Sequence, residues 1–195
     1  LSDVRLVTAS EGATIAAMLA RAFHDDPAFG YILPEVRDRQ RRLTRLFALL
    51  QQSDARAGMG LTTGDGAAAT FWRGPGRATV GWWEMLCSAP ALLAALGPAI
   101  PRALAVSAAI DAHLPPGDFW YLHIAGCDPA AQGRRLGGKL IRAGLARAAG
   151  RLPCYLETAT EKNLGFYRAL GWEPTGEWRV GREGPRFWSM LRPPG

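Results

Sequence analysis

The run Trp120–Ile141 constrains this chain more than any other stretch. Trp120–Cys127 reads as a strand and Asp128-Pro129 as a turn. Glycine and arginine then crowd the start of a helix, in Gln132-Gly133-Arg134-Arg135-Leu136-Gly137-Gly138. The first turn of a helix carries backbone N–H groups with no intrahelical partner. With the positive end of the helix dipole they form an anion site. Gly133, Gly137 and Gly138 have no side chain to block a phosphate, and Arg134 and Arg135 add positive charge. The run predicts a pyrophosphate cradle.

The cradle is neither of the two commonest kinds. A P-loop would follow Gly138-Lys139 with Ser or Thr, and Leu140 stands there. A dinucleotide fingerprint has another glycine spacing and opens a parallel sheet, whereas this run comes late in the chain. A second motif lies downstream: Leu156-Glu157-Thr158, then Asn163, then Phe166-Tyr167 and Leu170-Gly171-Trp172. In order and spacing, the two motifs resemble the acetyl-CoA segments of the GCN5-related N-acetyltransferases (GNAT). The family pattern, Gln/Arg-x-x-Gly-x-Gly/Ala, aligns with Gln132–Gly137, and its first glycine is Arg135 here. Ala-Phe-x-Asp-x-Pro near residue 22, Leu156-Glu157-Thr158 and the closing Gly184-Pro185-Arg186-x-Trp188-x-Met190 look like the puromycin N-acetyltransferase branch. The resemblance implies a cytoplasmic, acetyl-CoA-dependent enzyme that acetylates the amine of a small molecule by direct attack in a ternary complex. Its alternatives are a protein N-terminal or lysine acetyltransferase and a non-catalytic acetyl-CoA-binding regulator.

Composition agrees. The 195 residues suffice for one domain over 1–195 with a sizeable core. The most apolar stretch, Ala89–Ile110, is interrupted by Pro90, Pro98, Pro101 and Arg102, so no membrane span is expected. The N-terminus lacks a signal-peptide pattern. Cys87, Cys127 and Cys154 make no disulfide or zinc framework and read as small core residues in a reducing compartment. The net charge of +6 comes from scattered arginines rather than a stripe interleaved with aromatics. It suits a phosphate-rich cosubstrate, and no nucleic-acid partner is expected. His24, His113 and His123 have no ligand spacing, so no metal is expected. Nothing in the sequence decides between monomer and homodimer.

Periodicity predicts a strand at Val4–Val7, a helix capped by Thr8 or Ser10 and running to Phe23, and a break over His24–Pro34. A second helix covers Val36–Ser53. The strands Gly58–Thr62 and Ala67–Trp72 form a hairpin around Gly64-Asp65-Gly66. Gly81–Ala112 is a helical insert cut by prolines. Then follow strand 119–127, helix 134–149, strand 153–158, helix 163–170 with Asn163 as N-cap and Gly171 as C-terminal cap, and strands 173–180 and 186–191. The fold class is α/β (α+β): a mixed, mostly antiparallel sheet flanked by helices, with the helical insert before the cofactor strand.

The resemblance implies Tyr167 as the acid that protonates the leaving thiolate, with His123 or Glu157 assisting loss of the amine proton. Period-2 alternation puts Tyr121, His123 and Ala125 on one face of the cofactor strand. Ala125, Gly126 and Cys127 would meet the pantetheine through their backbone. Gln132, Gly133, Arg134, Arg135, Leu136, Gly137 and Gly138 would hold the pyrophosphate, and Asn163 would touch the same cofactor. Candidates for the acceptor pocket are Asp25 and Asp26, which would attract a cationic amine, and the aromatics Phe29, Tyr31, Trp72, Trp82, Trp83 and Tyr121.

Overall fold

The computed structural model describes residues 4–148 and 150–195. Seven strands form one sheet: β1 (Val4–Leu6), β2 (Gly58–Thr63), β3 (Ala68–Arg73), β4 (Trp120–Cys127), β5 (Cys154–Thr158), β6 (Glu173–Arg179) and β7 (Arg186–Arg192). Their order is β1-β2-β3-β4-β5-β7-β6, and every neighbouring pair is antiparallel except β4–β5. This is the mixed, mostly antiparallel sheet that the sequence predicts.

Helices cover both faces. On one side lie α1 (Gly12–Ala22) and α3 (Val36–Ala57), whose Ile15, Leu19, Leu43 and Phe47 pack with Phe71 and Ile124 of the sheet. On the other lie α6 (Leu136–Ala148) and α7 (Leu164–Arg168). There Ile141 and Tyr167 pack with Trp72, Leu122, Trp172 and Met190. A 3-10 turn, Ala9–Glu11, leads into α1 and is itself started by a capping box at Thr8. Thr8 N–H donates to the Glu11 carboxylate at 3.0 Å, and the Thr8 hydroxyl donates to the same carboxylate at 2.6 Å.

The expected break over His24–Pro34 contains a six-residue helix, α2 (Pro27–Ile32). Asp26 caps it, its Oδ1 accepting from Ala28 N at 2.9 Å and Phe29 N at 3.2 Å, with Pro27 in the first turn. Asp-Pro followed by apolar residues was a helix start and not only a stop. Helix α3 runs four residues past its expected end, to Ala57. The insert divides into α4 (Trp82–Leu96) and α5 (Ile100–Ala112). Gly97 separates them at φ +46°, followed by Pro98. Trp82–Ala112 as a whole reaches a mean hydropathy of 1.6 in its most apolar window and is long and apolar enough to cross a membrane by length and composition, but the break at Gly97 divides it into helices of 15 and 13 residues.

Two details of the sheet create the site. First, β4 carries a bulge. Phe71 pairs with Ile124 and Trp72 with Leu122, which leaves His123 as an extra residue. Second, β4 and β5 pair only at Trp120–Cys154 and Tyr121–Tyr155. Beyond those rungs the two strands no longer bond, and the sheet opens between them.

Candidate active site

The opening leads into a cleft of about 800 Å³. Its walls are the ends of β4, the turn into α6, and α7. Ala125, Gly126, Cys127, Gln132, Gly133, Arg135, Leu136, Gly137, Gly138, Asn163 and Tyr167 all line it. Arg134 does not, and pairs with Asp65 at 3.3 Å on the surface. The helix begins at Leu136, two residues later than expected, because Gly133 (φ +81°) and Arg135 (φ +61°) are left-handed. Arg135 occupies the place of a motif glycine and holds a conformation that glycine favours. The helix's expected last residue, 149, lies outside the described residues. A Cβ at Gly133 would meet no atom within 4 Å, and one at Gly137 would first meet Phe166 at 3.6 Å. The space beside this turn therefore faces the cleft, and its glycines and cleft-lining Arg135 fit a diphosphate.

Asn163 stands at the N-cap position of α7, as expected, but its side chain makes no capping bond. A 3-10 turn, Glu161–Asn163, extends the helix backwards and moves the extended residue to Thr160. Asn163 itself is helical and its amide donates to Thr158 Oγ1 at 3.4 Å. Gly171 (φ +93°) terminates α7 as expected, with Trp172 N–H bonding back to Tyr167 O at 3.1 Å.

A polar cluster lies on the α3 side of the sheet. The Tyr121 hydroxyl donates to Glu157 Oε1, while Glu157 Oε2 is buried with no partner among the described residues. Burial pushes the Glu157 carboxyl up to about 7, against the Tyr121 bond and the His123 charge, which lower it. Tyr121 and Tyr167 are both raised, first by burial and then by the Glu157 charge. Tyr167 lines the cleft, so the Glu157 charge acting on it ties the cleft to the cluster, and the Asp26 charge acts on it as well. The carboxyl of Asp26 is itself raised by burial.

His123 meets a residue the sequence reading missed. Both carboxylate oxygens of Asp54 lie 2.9 Å from His123 Nδ1. Asp54 is fully buried and also pairs with Arg73 at 3.4 Å. A carboxylate only accepts, so Nδ1 is the donor and Nε2 is the basic atom of the neutral ring. Burial opposes protonation of His123, but the Asp54 charge and hydrogen bond prevail and raise its pKa. The signal for Asp54 was its position on α3. It follows Leu43, Phe47 and Gln51 at helical spacing, a carboxylate on a buried stripe.

The bulge corrects the expected strand face. Tyr121 and His123 both lie on the side of Asp54 and Glu157. The extra residue turns Ile124 to that same side, into the α1–α3 core, and sends Ala125 to the other. Gly126 backs onto α1, where a Cβ would come within 2.6 Å of Leu19.

The acceptor candidates scatter. Asp25 and Asp26 line the cleft. Asp25 is exposed and bonds His24 Nδ1 at 2.8 Å. Phe29 is half-buried between Phe23 and Phe47, and Tyr31 packs on the same core. Trp72 is 0% exposed, its ring so close to α6 that a Cβ at Gly144 would sit 2.5 Å from it, so it has no face for a substrate. Trp82 and Trp83 sit in the first turn of α4, 75% and 62% exposed, because the inward positions of α4 belong to Leu92, Ala95 and Leu96. They form no part of the cleft.

No family model matches the sequence. Among solved structures, a "histone acetyltransferase HPA2 and related acetyltransferase" from Corynebacterium glutamicum superposes with TM-score 0.77 at 25% identity, covering 100% of this chain and 98% of its own. The polyamine N-acetyltransferase of Drosophila melanogaster, which forms N-acetylagmatine, superposes with TM-score 0.58 at 16% identity, covering 97% and 98%. A GNAT family acetyltransferase from Brucella melitensis in complex with acetyl-CoA superposes with TM-score 0.50 at 20% identity, covering 97% and 86%. These structural neighbours are N-acetyltransferases of the GNAT type, and the chain has their fold.

Proposed function

We propose that the chain is an acetyl-CoA-dependent N-acetyltransferase whose acceptor is the amine of a small molecule. The observation that carries this reading is the cleft beside the parted β4 and β5, lined by a glycine-rich cradle and by Tyr167, on which the charge of buried Glu157 in the neighbouring Glu157–Tyr121 pair acts. Acetyl-CoA supplies the activated acyl group. The chain's own residues do the rest. The turn Gly133–Gly138 holds the diphosphate, and the freed β4 edge at Ala125–Cys127 offers backbone partners to the pantetheine amides. Glu157 Oε2, which lacks a donor, receives the substrate ammonium and takes its proton. A carboxyl near pH 7 suits that transfer. Asp54 orients the His123 imidazole, which carries the proton onward at Nε2. Tyr167 keeps its proton at neutral pH and gives it to the departing sulfur.

A small amine is favoured because the proton-handling groups are buried rather than set along an open groove. The finer reading is an aminonucleoside or aromatic amine, as the puromycin branch resemblance implies. The three cysteines are free, which suits a cytoplasmic location. The test is thiol release from acetyl-CoA across a panel of amines, puromycin and agmatine included. Turnover with one of them, reduced about 100-fold in Tyr167→Phe while acetyl-CoA affinity stays within about twofold, is expected. Acetyl-CoA binding without turnover on any amine points instead to a non-catalytic regulator.

A further inference from the structure

Helix α4 does not look finished. From Val80 to Pro101 the sequence carries a single charge, Glu84, and that is held by Arg56 at 2.9 Å. In a chain that is 21% charged, such a stretch belongs inside a protein. Yet Trp82, Trp83, Met85, Leu86 and Leu93 are 44–75% exposed. At those exposures, and with whole side chains of about 150–250 Å², they present roughly 600 Å² of apolar surface. Exposed Cys87, Ala89, Pro90, Ala91 and Ala94 extend it toward the roughly 800 Å² that each partner gives to a stable interface.

The distribution of bulk along α4 says what covers it. On its outward side the first half carries the large side chains Trp82, Trp83, Met85 and Leu86, and the second half the small Ala89, Pro90, Ala91 and Ala94 beside a single large one, Leu93. Laid antiparallel on itself, the helix sets indoles against small residues at both ends of one contact. That is the self-complementarity of a two-fold interface. A membrane surface fits less well. Interfacial helices carry Lys or Arg on their polar side, α4 has neither, and Glu84 would oppose an anionic lipid.

We infer that α4 is the interface of a symmetric homodimer, with a second copy of this chain packed antiparallel across it. Cys87 then lies near the two-fold axis, within reach of its counterpart across a helix pair spaced about 8–10 Å apart. Among the described residues it is the one exposed cysteine, Cys127 being half-buried and Cys154 buried.

Sedimentation equilibrium of the purified full chain at micromolar concentration is expected to give twice the 21.0 kDa chain mass. A short bis-maleimide should link two copies through Cys87, and Cys87→Ser should abolish the link. The double variant Trp83→Glu with Leu86→Glu should sediment as a monomer with an unchanged circular dichroism spectrum, since both positions face outward. A wild type that sediments as a monomer overturns the inference. So does a dimer that survives the double substitution, or a monomer that co-sediments with anionic phosphatidylserine vesicles.

Discussion

The two parts of the proposed site, the cradle in the cleft and the buried polar cluster, are made of different material. The cradle is backbone, drawn from one contiguous stretch, Ala125–Gly138. The cluster is side chains from α3, β3, β4 and β5, with His123 and Asp54 separated by 69 positions. A backbone site needs glycines at fixed spacing and tolerates exchange of most side chains. A side-chain site needs particular groups and leaves no spacing in the sequence. The difference predicts that substitutions at the cradle change affinity and substitutions at the cluster change turnover.

The largest effect should come from Glu157→Gln. The amide keeps the shape and the Tyr121 contact but cannot take a proton. Turnover is expected to fall by about 10²–10⁴ while acetyl-CoA affinity is retained. The same carboxyl should set the acidic limb of the wild-type rate profile at about pH 7. Its folded value lies above its ordinary value of 4.5, so burial favours the protonated form. The resulting stability is full below pH 4.5 and is lost as the pH rises through about 7, a slope that chemical denaturation should find flattened in Glu157→Gln. Equal loss of affinity and turnover would erase the proposed division.

Gly137→Trp probes the other part. The indole would fill the space in front of the first turn of α6, and calorimetry should find acetyl-CoA binding weakened by at least about 100-fold, with the fold intact. An intermediate effect is expected from Asp54→Asn. Losing the charge beside His123 should lower the imidazole pKa, visible by NMR titration, and reduce kcat/KM about tenfold. A structural role alone would leave that titration where it is. The smallest effect belongs to Arg135→Gly. Releasing a left-handed arginine offsets the extra freedom of glycine in the unfolded chain, for a net gain of about 0.5 kcal/mol in denaturant unfolding.

Legibility in the sequence followed the same divide. The cradle was readable because strand, turn and glycines are consecutive. Its details were not, since left-handed backbone at Arg135 is a response to the turn and no property of arginine. The helix α2 was hidden by Pro27, which reads as a breaker unless the preceding Asp26 is recognised as its cap. Tyr121, His123 and Glu157 were nameable one by one. That Asp54 would stand behind His123 depended on how α3 crosses the sheet. Alternation alone misplaced Ala125, because a bulge adds a residue without any mark in the sequence.

The parted strands β4 and β5 give the sheet two leaves, β1–β4 and β5–β7, bound along a short spine at Trp120–Cys154 and Tyr121–Tyr155. A ligand lying between them takes the place of the absent rungs. The molecule's rigidity is then partly on loan from its substrate. Heat resistance should keep climbing with the logarithm of ligand concentration even after the site is full, and the melting curve becomes an instrument for finding what the protein holds.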